Sequence, residues 1–454
     1  MNEGAVLISC FGFFFILASA FIIFKGTIFD ITHIRNNPWP LLWYLQVLLT
    51  LFPLIIVSAL GINNIPILYV AQSGLEIKVA LATIFSMLLY ILTLGFFLRF
   101  FGLSYRKYYI ESSIFNVSNV KLYTKALELA IILSLIGLLL IVIFNALDYK
   151  HAFLYSIFKN TSLLQVRLNN KYNSLVPSQI ASMLFIIGYI LSVLAGYLGK
   201  FGTKKSFLYL AIAIFILSAP GDKAPVAYAI ILWIFGRGIF LPKSIFSIRR
   251  ILITAIVLII LSLGVIYFAL SLQSPGLTPQ IFVKYLLNRL GVGQMAGLYE
   301  TFGLIENNAM PKEDYYWHMI PFASFFVDYI DYQKLLMMVT ENVGYAQMGV
   351  KNTYFLAEAY AIGGPILAFI SPIIVGFTTA LGLYILLKSA RFFMGGGLSV
   401  LIAIPIYLKT HNITGGFSSF PFLKGMIMLM FQLMVLWCLW LIIHNIVYRK
   451  HYIR

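Results

Sequence analysis

Apolar runs broken by short charged loops set the pattern of this chain. Eleven runs occur, at residues 5–24, 40–60, 79–98, 126–147, 179–199, 206–219, 224–236, 251–270, 362–385, 396–408 and 426–446. A helix needs about 20 apolar residues to cross a hydrocarbon core of about 30 Å. The pattern predicts an all-α polytopic membrane protein with about 11 transmembrane helices. Runs 206–219 and 224–236 are shorter than a full span and read as a hairpin over 206–236, whose tip "SAPGDKAP" sets Asp222 and Lys223 among Pro220, Gly221 and Pro225. Irregular backbone at membrane depth is tolerated only beside protein or water, so the tip predicts a hydrated cavity opening outward, with Asp222 pairing Lys223.

The polar segments alternate in charge. One set of loops carries nineteen basic residues against only Asp30 and Glu111; the other carries the remaining 13 basic residues and 12 of the 15 acids. The positive-inside rule puts the first set in the cytoplasm, with the N-terminus outside and the C-terminus inside. Two external loops stand out: 148–178, which contains "LLQVRLNNKYNSL", and 271–361, of about ninety residues. The second is amphipathic in "FVKYLLNRLGVGQMAGLYETFGL" and aromatic in "YYWHMIPFASFFVDYI", a composition suited to the headgroup layer. The expected organisation is one integrated domain: an N-terminal membrane region over 1–270 with about eight spans, a large helical external loop over 271–361, and a C-terminal membrane region over 362–454 with about three.

Composition agrees. The chain is 61% hydrophobic and 10% charged, against about 25% charged in soluble domains. Its net charge of +17 fits cytoplasmic loops better than nucleic-acid binding. The first apolar run begins at Ala5 with no basic residue before it, which argues against a cleavable leader. Cys10 and Cys438 both sit in apolar runs, so no disulfide framework is expected. A phosphate-binding G-x-x-x-x-G-K-[ST] loop, an H-E-x-x-H helix, a cysteine cluster and a D-x-D pair are all missing from the sequence. Chemistry without a nucleotide, a cofactor or a tightly held metal is therefore expected.

The suggestive polar residues fall on the external side. Arg167, Lys223, Arg289 and Lys351 each interrupt an apolar or aromatic context, and Asn352 and Thr353 follow the last of these. Single cations at membrane depth are costly unless they pair or line a wet cavity. A cluster of them suits a lipid-linked phosphate or diphosphate, which Arg grips bidentately and Lys meets as a point charge. The ordinary alternatives are a snorkelling Arg289, a solvated Arg167 and an interfacial Lys351. Glu358, in "NTYFLAEAYAIGGP", is the leading carboxylate and a candidate general base; a helix-start carboxylate favoured by the dipole is its plain alternative. Glu341, Asp328 and Asp331 rank lower, and lone His318 and His411 read first as structural.

The layout resembles the bacterial oligosaccharide repeat-unit polymerases, the O-antigen polymerase or Wzy family. The likeness rests on four segments in order: "QVRLNNKY" after the fourth span, "SAPGDKAPVAYAII" between two membrane runs, "LLNRLGVGQMAGLYE" opening the large loop, and "NTYFLAEAYAIGGPILAFISPIIVGF" closing it. Lys223 stands where such proteins frequently have Arg, and no repeated Arg-x(10)-Gly loop motif occurs. The resemblance implies a glycosyltransferase-C-like fold in the bacterial inner membrane with its active site on the outer face. It implies inverting transfer between two undecaprenyl-diphosphate-linked oligosaccharides, building O-antigen, capsule or a related polysaccharide with no metal or nucleotide. Lys223 and Arg289 would hold the donor diphosphate, Arg167, Lys351 and Asn352 would help bind substrate, and Glu358 would be the base. Partners would be membrane lipids and the pathway's flippase and chain-length regulator. An O-antigen ligase shares this plan. A transporter or flippase would be expected to show related halves and midplane polar residues, and the sequence shows no such repeat.

Overall fold

The computed structural model describes residues 3–33, 39–65, 68–71, 74–104, 107, 120–199, 201–238, 260, 263–264, 266–268, 270–271, 276–286, 288, 292–310, 315–321, 323, 326–327, 331–341, 352–394, 407, 413 and 415–448. Among these the chain is helical, with only isolated bridges and no strand. Five helical stretches are long and apolar enough to cross a membrane: Glu3–Ile23, Leu75–Phe100, Tyr123–Ala146, Phe355–Lys388 and Pro421–Leu439. The protein is an all-α membrane protein. The expected runs at 251–270 and 396–408 lie largely outside the described residues.

The chain divides into two compact units. Unit 1 comprises Met1–Tyr108, Pro279–Leu386 and Tyr407–Met428; unit 2 comprises Tyr109–Thr278, Leu387–Ile406 and Leu429–Arg454.

Unit 1 is built on α1 (Glu3–Ile23), α2 (Trp39–Leu60) and α3 (Leu75–Phe100), which pack on one another. The first helix is ordered inside out relative to a soluble helix. Ala5, Ser9, Gly12 and Ala20 face inward together with Ile16, while Phe11 and Phe14 are each 70% exposed. Small residues let membrane helices approach closely, and large apolar ones face lipid without penalty. Ser9 and Ser58 hydroxyls meet at 3.0 Å across α1 and α2. At one end, Trp43 stacks edge-on against Phe24 and donates its indole N–H to Tyr90 at 3.2 Å. Among the described residues the large loop contributes three short helices, Pro279–Leu286, Ala296–Glu306 and Tyr332–Glu341, here α11, α12 and α13. α12 packs against both α3 and α13. The long helix α14 (Phe355–Met394) leaves helical geometry at Gly363 and Gly364. Gly364 has φ +65°, open to glycine, and Pro365 follows with no N–H to donate. The helix thus begins as a two-turn segment, Phe355 to Ile362, before the break.

Unit 2 holds α4 (Val120–Ala146), the surface helices α5 (Ala152–Lys159) and α6 (Leu163–Tyr172), the short α7 (Ser178–Ala181), and α8 (Met183–Leu198), α9 (Thr203–Ser218) and α10 (Lys223–Gly238). The predicted hairpin is present as α9 and α10, each of 16 residues. α8 is buried along almost its whole length, as a helix apolar on every side must be, with α4, α9 and α10 packed around it. Two glycines bring α8 and α10 together. A Cβ on Gly196 would lie 2.0 Å from the Trp233 carbonyl oxygen, and one on Gly236 would lie 2.1 Å from that of Val193. Ser206 ties the third helix in, donating to the Ala195 carbonyl at 2.7 Å and accepting from the Trp233 indole at 2.8 Å.

Because the obstructing atoms are backbone, Gly196→Ala or Gly236→Ala has to push α8 and α10 apart. Either is expected to cost about 1–3 kcal/mol and lower the thermal midpoint in detergent by several degrees. Gly202→Ala, with open space around it and an extended backbone, is the control and should leave the midpoint unchanged.

Candidate functional site

The polar cluster with the most developed geometry lies in unit 1, around the start of α14. The extended backbone before the helix is held by a parallel bridge between Thr353 and Gly415 and by Phe355 N–H donating to Ile413 O at 3.2 Å. One turn later Glu358 points inward and is fully buried. Its Oε2 accepts from Ser418 N–H at 3.0 Å, and its Oε1 lies 3.1 Å from His318 Nδ1. Gly416 makes room for the carboxylate: its φ is +100°, and a Cβ there would sit 2.3 Å from Glu358 Oε2.

His318 sits on a 3₁₀ turn, Tyr315–Met319, and its other ring nitrogen, Nε2, lies 3.4 Å from Asp331 Oδ2. Lys424, at the start of α15 (Lys424–Tyr448), donates to the His318 carbonyl and anchors the turn. Asp331 is fixed in turn by the Gln333 N–H at 2.8 Å, while the Gln333 amide donates to Thr353 Oγ1 at 3.2 Å. Tyr332 bonds Thr301; burial pushes its phenol well up, Tyr315 and Glu358 add to that, and it stays an O–H. Accessibility is graded along the chain of groups. The Glu358 side chain is 0% exposed, that of His318 15% and that of Asp331 26%. A buried carboxylate on one nitrogen orients the ring, and the opposite nitrogen faces the partly exposed Asp331. The two carboxylates lie on opposite sides of the ring and do not converge. Among the described residues no group of His, Cys, Asp and Glu could hold a metal ion.

The second cluster belongs to unit 2. Arg167 on α6 pairs with Asp222, the last residue of the α9–α10 turn. The turn is drawn against α5 by Ala152 N–H donating to Ala219 O at 2.8 Å. Gly221 (φ +86°) lets it pass so closely that a Cβ would meet Arg167 Cγ at 2.6 Å and Ala152 Cβ at 2.7 Å. Beneath lies His151, whose Nδ1 accepts from Leu154 N–H at 3.4 Å while its Nε2 lies 3.0 Å from Phe215 O. Those partners require the neutral ring with its proton on Nε2. Burial lowers the His151 pKa to the same effect, though the hydrogen bond to Phe215 opposes it.

Among the described residues Asp222 pairs with Arg167. Lys223 opens α10, and its side chain lies outside the description, as do Arg289, Lys351, Asp328 and His411. Asn352 ties the loop to the beginning of α12: its carbonyl accepts from Gly297 N–H at 3.0 Å and its amide donates to Gln294 at 2.9 Å. Sequence reasoning ranked His318 as structural and Asp331 as weak. Nothing in a spacing of 40 residues from His318 to Glu358 signals that they meet.

No protein-family model, curated protein or solved structure matches this chain. The site has to be read from its own geometry.

Two outcomes follow from that geometry. Glu358→Ala strands the Ser418 N–H and one His318 nitrogen in a buried setting. It is expected to cost about 1–3 kcal/mol in detergent unfolding, with Glu358→Gln milder because it still accepts one bond. For His151 the folded pKa is depressed, so the stability its neutral form contributes is present above the ordinary value of 6.5. That stability is lost as pH falls from 6.5 through the folded pKa. His151→Gln should flatten the difference between thermal midpoints measured at neutral and acid pH.

Proposed function

We propose that this protein is a membrane glycosyltransferase that joins lipid-diphosphate-linked oligosaccharide repeat units into a surface polysaccharide. The reading includes the finer architecture suggested by the sequence: about eleven spans, a glycosyltransferase-C-like arrangement, an outside N-terminus, a cytoplasmic C-terminus, and the reaction on the outer face of a bacterial inner membrane. One observation carries it: the imidazole of His318, within the large loop, is held between Glu358, fully buried on the segment that closes that loop, and the partly exposed Asp331.

Glycosyl transfer from a lipid diphosphate needs a group to take the acceptor hydroxyl's proton. It also needs positive charge to stabilise the departing diphosphate. In this reading His318 is the general base, receiving the proton at Nε2, where Asp331 would accept a hydrogen bond from the resulting imidazolium. Glu358 is the positioning carboxylate on Nδ1, because a fully buried side chain cannot touch the acceptor. The acceptor oxygen bonds to the anomeric carbon from the face opposite the leaving group, which departs with the bonding electron pair as lipid diphosphate. In unit 1, Arg289 and Lys351 would bind the departing phosphates; Arg167 and Lys223, in unit 2, are a separate candidate contact for a lipid-linked phosphate. No nucleotide is required, because the donor diphosphate already stores the energy.

A second reading draws on the same observation. Buried carboxylate–histidine chains also serve as proton relays in transporters, so a lipid-linked oligosaccharide flippase is the alternative.

The test uses purified protein with mass-tagged lipid-diphosphate repeat units. Longer lipid-linked chains are expected. Transfer only to lipid A core would mean a ligase, and movement across the membrane without a new bond would mean a flippase. His318→Ala should lower the elongation rate by about 10²–10⁴-fold at normal protein levels. Full activity in that variant would remove the assignment.

A further inference from the structure

The Arg167–Asp222 pair has a property that a simple cation site lacks: the guanidinium is already occupied by a carboxylate from its own chain. The two side chains are 35% and 39% exposed, so solvent reaches the pair, and an external anion of suitable shape can reach it too. Both partners are held in place independently of each other. Arg167 is on α6, which is fixed to the preceding segment by Asn170, whose amide donates to Lys150 O at 2.7 Å and accepts from Lys150 N–H at 2.8 Å. Asp222 is on a turn set by the positive φ of Gly221 and by the Ala152–Ala219 bond. The Tyr149 phenol beside them is pushed up by burial, with Asp222 adding and Arg167 opposing, which places all three in one electrostatic neighbourhood.

We propose that Asp222 is a charge threshold on Arg167: a resting counterion that a ligand must displace, which admits a diphosphate and turns away the singly charged phosphodiesters of bulk phospholipid. The proposal rests on the reading of Arg167 as a contact for a lipid-linked phosphate. Exchanging Asp222 for a phosphodiester swaps one singly charged acceptor for another. It also sets the released carboxylate beside the incoming anion, a repulsive element of the kind that sets specificity. A diphosphate brings charge on two adjacent phosphoryl groups and more oxygens for the planar fork, so it gains where the phosphodiester does not. In a membrane where anionic phospholipid far outnumbers any lipid-linked diphosphate, a bare arginine would be occupied by the wrong headgroup.

The experiment titrates the purified full-length protein in detergent with undecaprenyl diphosphate and, separately, with phosphatidylglycerol, following intrinsic tryptophan fluorescence. The wild type should favour the diphosphate lipid. Asp222→Asn should narrow that preference about tenfold, chiefly by binding phosphatidylglycerol more tightly, while Asp222→Glu keeps it. Arg167→Gln should weaken the diphosphate lipid. The proposal is overturned if Asp222→Asn leaves the ratio unchanged. It is equally overturned if that variant weakens both lipids together with a lowered thermal midpoint, which would make the pair a structural clip between α6 and the hairpin. Failure of the wild type to bind either lipid defeats the phosphate reading along with the proposal. Wild-type binding with an unaltered ratio defeats the proposal alone.

Discussion

The constraint on which unit 1 depends is the cost of an unpaired backbone N–H where a helix stops in an apolar setting. Its loops answer that cost with carboxylates. Asp30 accepts from Gly26 N–H at 2.7 Å and Thr32 N–H at 2.9 Å. Glu76 accepts from Gly74 at 2.8 Å and Ile62 at 3.3 Å. Glu300 accepts from three consecutive residues, Tyr69, Val70 and Ala71, at 2.6, 2.8 and 3.1 Å. Glu358 accepts from Ser418. All four are buried. In a chain with only 15 acids, this many spent on backbone donors means that the irregular segments are built around them. A water-soluble loop would leave the same donors to solvent.

Glu358 belongs to that group and also departs from it. Asp30, Glu76 and Glu300 each accept two or more backbone bonds. Glu358 gives one oxygen to the backbone and turns the other to an imidazole. That division is what a positioning carboxylate needs. The backbone bond and the Gly416 cradle hold the carboxylate still, and the free oxygen then dictates where His318 points. The break at Gly363–Gly364 serves the same end. It lets the two-turn segment carrying Glu358 take its own direction instead of continuing the axis of the long apolar helix that follows.

Much of the helical framework was legible from hydrophobic pattern alone, since runs of apolar residues at this length have few alternatives to a membrane helix. The α9–α10 hairpin was legible too, because Pro220 and Gly221 interrupt the run between two segments of nearly equal length. What the pattern hid is pairing. The acids are visible in the sequence, and their concentration in one set of loops reads as the mark of an external surface. That Glu300 would reach back to Val70, or Arg167 forward to Asp222, is set by how helices far apart in sequence pack, and no local periodicity encodes it. The two carboxylate contacts of His318 are hidden for the same reason. A lone histidine among aromatics looks structural until the carboxylates at its two nitrogens are seen.

The requirement that pins the loops also bears on selectivity. A guanidinium near a membrane cannot be left without a counterion while it waits for a ligand, so a phosphate site built from arginine needs an internal anion in its resting state. Whatever anion the fold supplies then sets the minimum that a ligand has to offer. On the proposed role of Asp222, a carboxylate on a turn fixed by Gly221 would set that minimum at one charge in one place, so ligands that merely match it would gain nothing. The same accounting applies to Glu358, whose two oxygens already meet the Ser418 N–H and His318. Groups that are satisfied at rest do not rearrange until a better partner is present. That condition lets a membrane site stay selective in a sea of similar headgroups.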